Sequence, residues 1–153
     1  MYDKMLIHVD RQRTFEAYMP FLESVLRRKI ANEAVLSTAV KPCEPTVFGH
    51  ILDPDEIAAT DARNLAAAWQ FVDGIAQRFA GEGITLQTRV LVGDPNEVFR
   101  TYAARARFDL VVIAPSGRRY LLTGKPKAFR RALRRLAKPV MILQAAPSQA
   151  QAA

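Results

Sequence analysis

One cysteine, Cys43, and two histidines, His8 and His50, are all the thiol and imidazole metal ligands that the 153 residues offer. A single thiol permits neither a disulfide within the chain nor a thiolate cluster, and a reducing cytoplasm is the expected compartment. His8 falls in an apolar segment and His50 in a loop, with no second ligand at metal-binding spacing, so no metal site is expected. Long hydrophobic runs are missing as well. None approaches the roughly 18–20 residues of a membrane helix. The stretch from Met5 to Val9 is too short for a signal-peptide core, contains polar His8 and is closed by Asp10. The dinucleotide fingerprint GxGxxG is absent. Gly124-Lys125 does not complete a P-loop, because Arg119 stands at the upstream glycine position and Pro126 replaces Ser/Thr. No motif sets a base beside Ser116, so no catalytic residue is assigned and a non-enzymatic role is favoured.

Half of the residues are hydrophobic and 24% are charged, an ordinary globular balance at a length suited to one domain. The net charge of +7 is unevenly placed. Between Arg100 and Lys138 stand twelve Lys or Arg and one acid, Asp109, whereas the remainder holds ten basic and fourteen acidic residues. The basic segment suggests an anionic partner, and a solvated helix face is the simpler reading.

Met5–Val9 reads as a buried strand, followed by helical spacing from Thr14 to Ala31 with a kink or delayed start at Pro20. Ala34–Val40 is a second strand, and Lys41 to Asp53 a proline-rich loop. Asp53-Pro54-Asp55-Glu56 carries the chemistry of a helix start, and Leu65, Ala68, Trp69, Val72, Ile75, Ala76 and Phe79 form the inner stripe that follows. Gly81-Glu82-Gly83 ends that helix. Ile84–Val92 is a third strand. Asp94-Pro95 opens another helix, Phe108–Ala114 is a fourth strand, residues 127–137 form a basic amphipathic helix, and Val140–Leu143 is a fifth strand. Residues 145–153 are expected to be a disordered tail.

Strands alternating with helices, and apolar nearly throughout, indicate an α/β domain with a parallel sheet covered on both faces. Such sheets bind ligands at the carboxyl ends of their strands, where the strand order reverses. That places the candidate site at Asp10 and at Ala114 to Arg119.

Several segments in order carry a likeness to a known family: Val9-Asp10, then Val92-Gly93-Asp94-Pro95, then Phe108 to Ile113 leading into Pro115-Ser116-Gly117-Arg118, and finally Lys138-Pro139-Val140-Met141-Ile142. Over residues 1–144 the chain resembles the universal stress protein family, with its UspA-like domain. The resemblance implies a five-stranded parallel sheet ordered 3-2-1-4-5 with helices on both faces, as in the adenine nucleotide α-hydrolase-like fold. It also implies a homodimer through the last strand, Val140, Met141, Ile142 and Leu143. Asp10 matches the family's acidic residue beside the base or ribose of a nucleotide, and Ala39 falls at the end of the neighbouring second strand. Nucleotide-binding members carry Gly-x-x-Gly, nine residues, then Gly-Ser or Gly-Thr. Here Ala114 takes the first glycine position, Gly117 retains the second, and Pro126-Lys127 stand at the last pair, one residue early. Pro126 has no N–H to offer a phosphate.

The leading expectation is therefore a non-enzymatic stress-response dimer acting through partner binding, with weak or no ATP binding. An ATP-binding or slowly hydrolysing member with a modified loop is the alternative, with ATP or ADP as its cofactor. A binder of nucleic acid or another polyanion through the basic helix is the second alternative. Nucleic acid is disfavoured, because exposed aromatics are not interleaved with the basic residues. The candidate nucleotide or anion site comprises Asp10, Ala39, Ala114, Ser116, Gly117, Arg118, Arg119, Lys125 and Lys127. The last four suit a phosphate-containing ligand or an acidic protein. Lys125 and Lys127 would sit at the positive end of a helix, where an anion offsets the repulsion.

Overall fold

The structure is a computed structural model that describes residues 1–10, 15–47, 50–51, 53–105, 107–114 and 134–143. Its main sheet has five strands: β1 (Tyr2–Val9), β2 (Ala31–Val40), β5 (Gln87–Val92), β6 (Leu110–Ala114) and β7 (Val140–Ile142). They are ordered β5-β2-β1-β6-β7, and every adjacent pair is parallel. Counted along the chain within this sheet, that is the expected 3-2-1-4-5. Two short strands, β3 (Thr46–Val47) and β4 (His50–Ile51), form an antiparallel hairpin in what the sequence presents as a plain loop.

The first helix is shorter than its periodicity suggests. A 3-10 turn covers Phe15–Tyr18, and α1 runs only over Met19–Arg27, with Pro20 in its first turn, where a missing N–H costs nothing. Lys29, at φ 49°, ends the helical path. By contrast, β1 and β2 begin earlier than apolarity indicates, because Tyr2 and Ala31 already pair in register. Their leading residues are partly exposed and polar, as at Asn32 and Glu33, so an apolar pattern cannot reveal them.

Helix α2 (Pro54–Ala80) starts as the sequence dictates, with the Asp53 carboxylate accepting from the Asp55 N–H at 3.1 Å. Its buried ridge is Ala68, Val72, Ile75 and Phe79. Trp69, expected on that stripe, is instead 37% exposed, and Leu65 is 36% exposed. One residue of helix turns about 100°, so Trp69 is carried off the inner face that Ala68 occupies. At the far end Gly81 stays right-handed, and the left-handed residue is Gly83, at φ 81°. Helix α3 (Pro95–Arg105) begins with Asp94 accepting from the Glu97 N–H at 3.1 Å.

Two cores lie on opposite faces of the sheet. Met5, Ile7, Val9, Leu36, Leu110 and Val112 pack against α1 and α2, where Phe79 is 1% exposed. Burial on that scale stabilises by about 1.5–3 kcal/mol for one large side chain. Leu6, Val35, Val111 and Ile113 face Phe99 and Ala103 of α3, together with Leu136. No helix among the described residues is long and apolar enough to cross a membrane.

Candidate functional site at the carboxyl end of the sheet

The chain leaves β1 to build β2 and β5 on one side, then returns to add β6 and β7 on the other. The strand order therefore reverses between β1 and β6. Val9 and Ala114 are the last partners of that pair, so Asp10 is the first residue beyond the sheet. On the opposite flank His8 pairs with Ser37. Two residues further along that register, Asp10 comes level with Ala39. Asp10 and Ala39 are both half-buried, and Ala39 pairs onward with Leu91 of β5. Ala114 is 2% exposed and belongs to the core on the α1–α2 face of the sheet rather than to the surface of the site. Asp10 and Ala114 thus stand at the switch point, with Ala39 on the neighbouring flank of β1. Ser116, Gly117, Arg118, Arg119, Lys125 and Lys127, like the residue 145–153 tail, lie outside the described residues.

The floor of this end carries polar side chains that no sequence motif marks. His8, two residues before Asp10 on the same face of β1, is 2% exposed, and its Nδ1 lies 2.9 Å from Ser37 Oγ. The Ser37 hydroxyl is within 3.4 Å of the Ile7 carbonyl oxygen, to which it donates. Phe99 of α3 covers the imidazole, with ring centroids 4.6 Å apart. Burial pushes the His8 pKa down to about 4, so the ring is neutral at physiological pH. On the other face of β2, Thr38 is fully buried, and its Oγ1 has no hydrogen-bond partner among the described residues. The available signal was local: His8, Ser37 and Thr38 are polar residues set inside otherwise apolar strands.

Neighbouring segments bound the site. The Cys43 N–H donates to Asp61 Oδ1 at 2.8 Å, which ties the chain after β2 to α2. Beside it Val40, Pro42, Asp61, Ala62, Leu65 and Val92 line a small cleft of about 170 Å³. Gly93 turns the chain out of β5 at φ 143°, and its N–H donates to the Val40 carbonyl at 2.9 Å. A larger cleft of about 370 Å³ opens near Lys29, Asn32 and Ile84, at the amino end of β2 and away from the switch point. Strand topology, rather than cleft size, assigns the candidate site. No group of three His, Cys, Asp or Glu side chains among the described residues could hold a metal ion.

At the far edge of the sheet, Met141 and Ile142 of β7 are 37% and 53% exposed. Leu143 is buried in the core of its own domain, so it adds no exposed side chain to that edge.

No protein-family model matches the sequence, and comparison with curated proteins yields no significant match. Solved structures do match. The universal stress protein UspA from Lactobacillus plantarum superposes with a TM-score of 0.71 at 18% identity, over 94% of this chain and 98% of that one. A universal stress protein family protein from Arabidopsis thaliana with AMP bound gives 0.62 at 15% identity, over 96% and 94% of the two chains. A universal stress protein in complex with cAMP gives 0.56 at 19% identity, over 95% and 99%. The chain has the fold that these universal stress proteins share, along nearly its whole length.

Proposed function

We propose that this protein is a universal stress protein in function as well as in fold: a non-enzymatic, cytoplasmic homodimer that acts in a stress response by binding partners and holds adenine nucleotide weakly or not at all. The observation that carries the reading is the carboxyl end of the sheet, where Asp10 follows β1 beside the switch point and stands level with Ala39 of β2. That end offers a carboxylate and strand backbone suited to a ribose or a base. The phosphate end is the weaker half. Ala114 is a buried core residue where a nucleotide cradle would place its first glycine, and Pro126 removes a backbone donor. Gly117, Ser116, Arg118, Arg119, Lys125 and Lys127 are the remaining members of the candidate site in the sequence.

A second reading, an ATP-binding or slowly hydrolysing member, draws support from the AMP-bound and cAMP-bound structures of the same fold. Mass spectrometry of small molecules released from freshly purified protein separates the two, together with calorimetric titration of ATP and magnesium. The expected result is no retained nucleotide and an affinity weaker than about 10 μM. Retained ATP, or tight magnesium-dependent binding, would transfer the assignment to the second reading.

A further inference from the structure

We propose that the cleft between α3 and the segment 134–136 is a second anion site, built for a chain of linked phosphates and separate from the carboxyl end of the sheet. Arg100, Thr101, Ala104, Arg135 and Leu136 line this open cleft of about 450 Å³. Phe99 and Ala103 of α3 turn inward to the sheet, which leaves Arg100 and Ala104, four residues apart, on one outward ridge. Across the cleft, buried Leu136 anchors the opposite wall and carries exposed Arg135 beside it. The walls are tied together: Lys138 Nζ donates to the Ala103 carbonyl oxygen at 2.6 Å. That bond joins the segment after Leu136 to α3.

Charge at this place is unbalanced. The ion pairs among the described residues are Lys4–Glu33, Arg27–Glu82, Lys41–Glu44 and Arg78–Glu16, and none includes Arg100, Arg107, Arg134 or Arg135. Glu97, one helical turn before Arg100, makes no ion pair with it. Asp109, the single acid between Arg100 and Lys138, is engaged by the backbone N–H groups of Asp3 and Lys4. Guanidinium groups hold phosphate oxygens through paired N–H donors, and the Thr101 hydroxyl adds a neutral one. A cleft lined by five residues suits a compact polyanion better than an extended acidic peptide, which needs a far larger contact area.

The test is titration of the full-length ¹⁵N-labelled protein with sodium tripolyphosphate and, separately, with ADP. Tripolyphosphate should produce saturable amide shifts at Thr101, Ala104 and Leu136, with affinity falling as salt rises. Arg100→Gln and Arg135→Gln should each weaken binding about tenfold, as loss of one charge-assisted contact requires. Both arginines are exposed, and an otherwise unchanged amide spectrum verifies the fold of each variant. If ADP produces the same shifts and displaces tripolyphosphate, the site takes the phosphate tail of a nucleotide. If ADP leaves Thr101 and Leu136 unmoved, the site takes free phosphate chains. The carboxyl-end reading is followed independently at Asp10 and Ala39, so either site can fail alone. Non-saturating shifts, or wild-type affinity in both variants, would overturn the proposal.

Discussion

His8 Nδ1 and Ser37 Oγ lie 2.9 Å apart across two parallel strands, sealed from solvent directly beneath Asp10 and Ala39. The pair makes the floor of the candidate site dry, neutral and sensitive to acid. Burial lowers the His8 pKa from 6.5 to about 4. Between those values the unfolded chain takes up a proton that the folded chain refuses, so stability falls as pH drops through that window and levels off below it. At 1.36 kcal/mol per pKa unit the loss amounts to about 3 kcal/mol. Urea denaturation at pH 7 and pH 4.5 should show this loss in the wild type and should show it removed from His8→Gln. An identical pH dependence in the two proteins would contradict a buried neutral imidazole.

Asp109 fastens the start of β6 to the start of β1. Its carboxylate accepts from the Asp3 and Lys4 N–H groups, each at 2.8 Å, and these bonds, Asp3 first, hold its pKa below the usual carboxylate value. Because the folded pKa is depressed, the stabilisation is fully present above the ordinary pKa of 3.8 and is lost as pH falls through the lower folded value. Asp109→Ala should lower the melting temperature at pH 7 and speed hydrogen exchange at the Asp3 and Lys4 amides, with Asp109→Asn intermediate. The gap between wild type and Asp109→Ala should narrow only in strong acid. Unchanged exchange at those two amides would show that the clip contributes nothing in solution.

Among the described glycines, Gly93 is the one where backbone and packing both favour glycine. Its φ is 143°, and a Cβ there would stand 2.5 Å from Val98 Cγ1. Gly93→Ala should cost about 1–3 kcal/mol, from strain and from crowding at the entry to α3. Trimming the neighbour in Gly93→Ala/Val98→Ala should recover the crowding part and leave the backbone part, a non-additivity readable in denaturant midpoints. Strict additivity of the two substitutions would remove the steric explanation.

Most of the fold was legible because apolar runs, helix caps and a single reversal of strand order leave few alternatives. Asp53-Pro54 and Asp94-Pro95 specify helix starts by local hydrogen bonding alone, and the structure places them there. Features set by tertiary partners were not legible. Trp69 has the spacing of a core residue but is exposed, since α2 presents Ala68, Val72, Ile75 and Phe79 to the sheet. The β3–β4 hairpin has strands of two residues each, too short for any periodic signal. At the candidate site, the place of Asp10 after an apolar strand is legible in the sequence. The importance of His8 and Ser37 depends on a pairing between residues 29 apart, which composition cannot reveal.

The exposed edge of the sheet carries the proposed dimer. Among the described residues strand β7 pairs with β6 alone, Ile113 with Ile142, and is the last strand of the sheet on that side. Met141 and Ile142 project exposed apolar surface from this strand, 37% and 53% exposed. Such an edge is normally guarded by charge, a bulge or a covering segment, and two copies meeting about a two-fold axis satisfy it most simply. Leu143 is already buried within the domain, so the exposed side chains of the contact centre on residues 141 and 142. Ile142→Lys adds a protecting charge at the exposed position without opening a cavity in either core. Light scattering should then give the monomer mass where the wild type gives the dimer, with far-UV circular dichroism unchanged. A dimer of undiminished stability in Ile142→Lys would move the interface elsewhere on the molecule, and a wild type that stays monomeric at high concentration would remove it altogether.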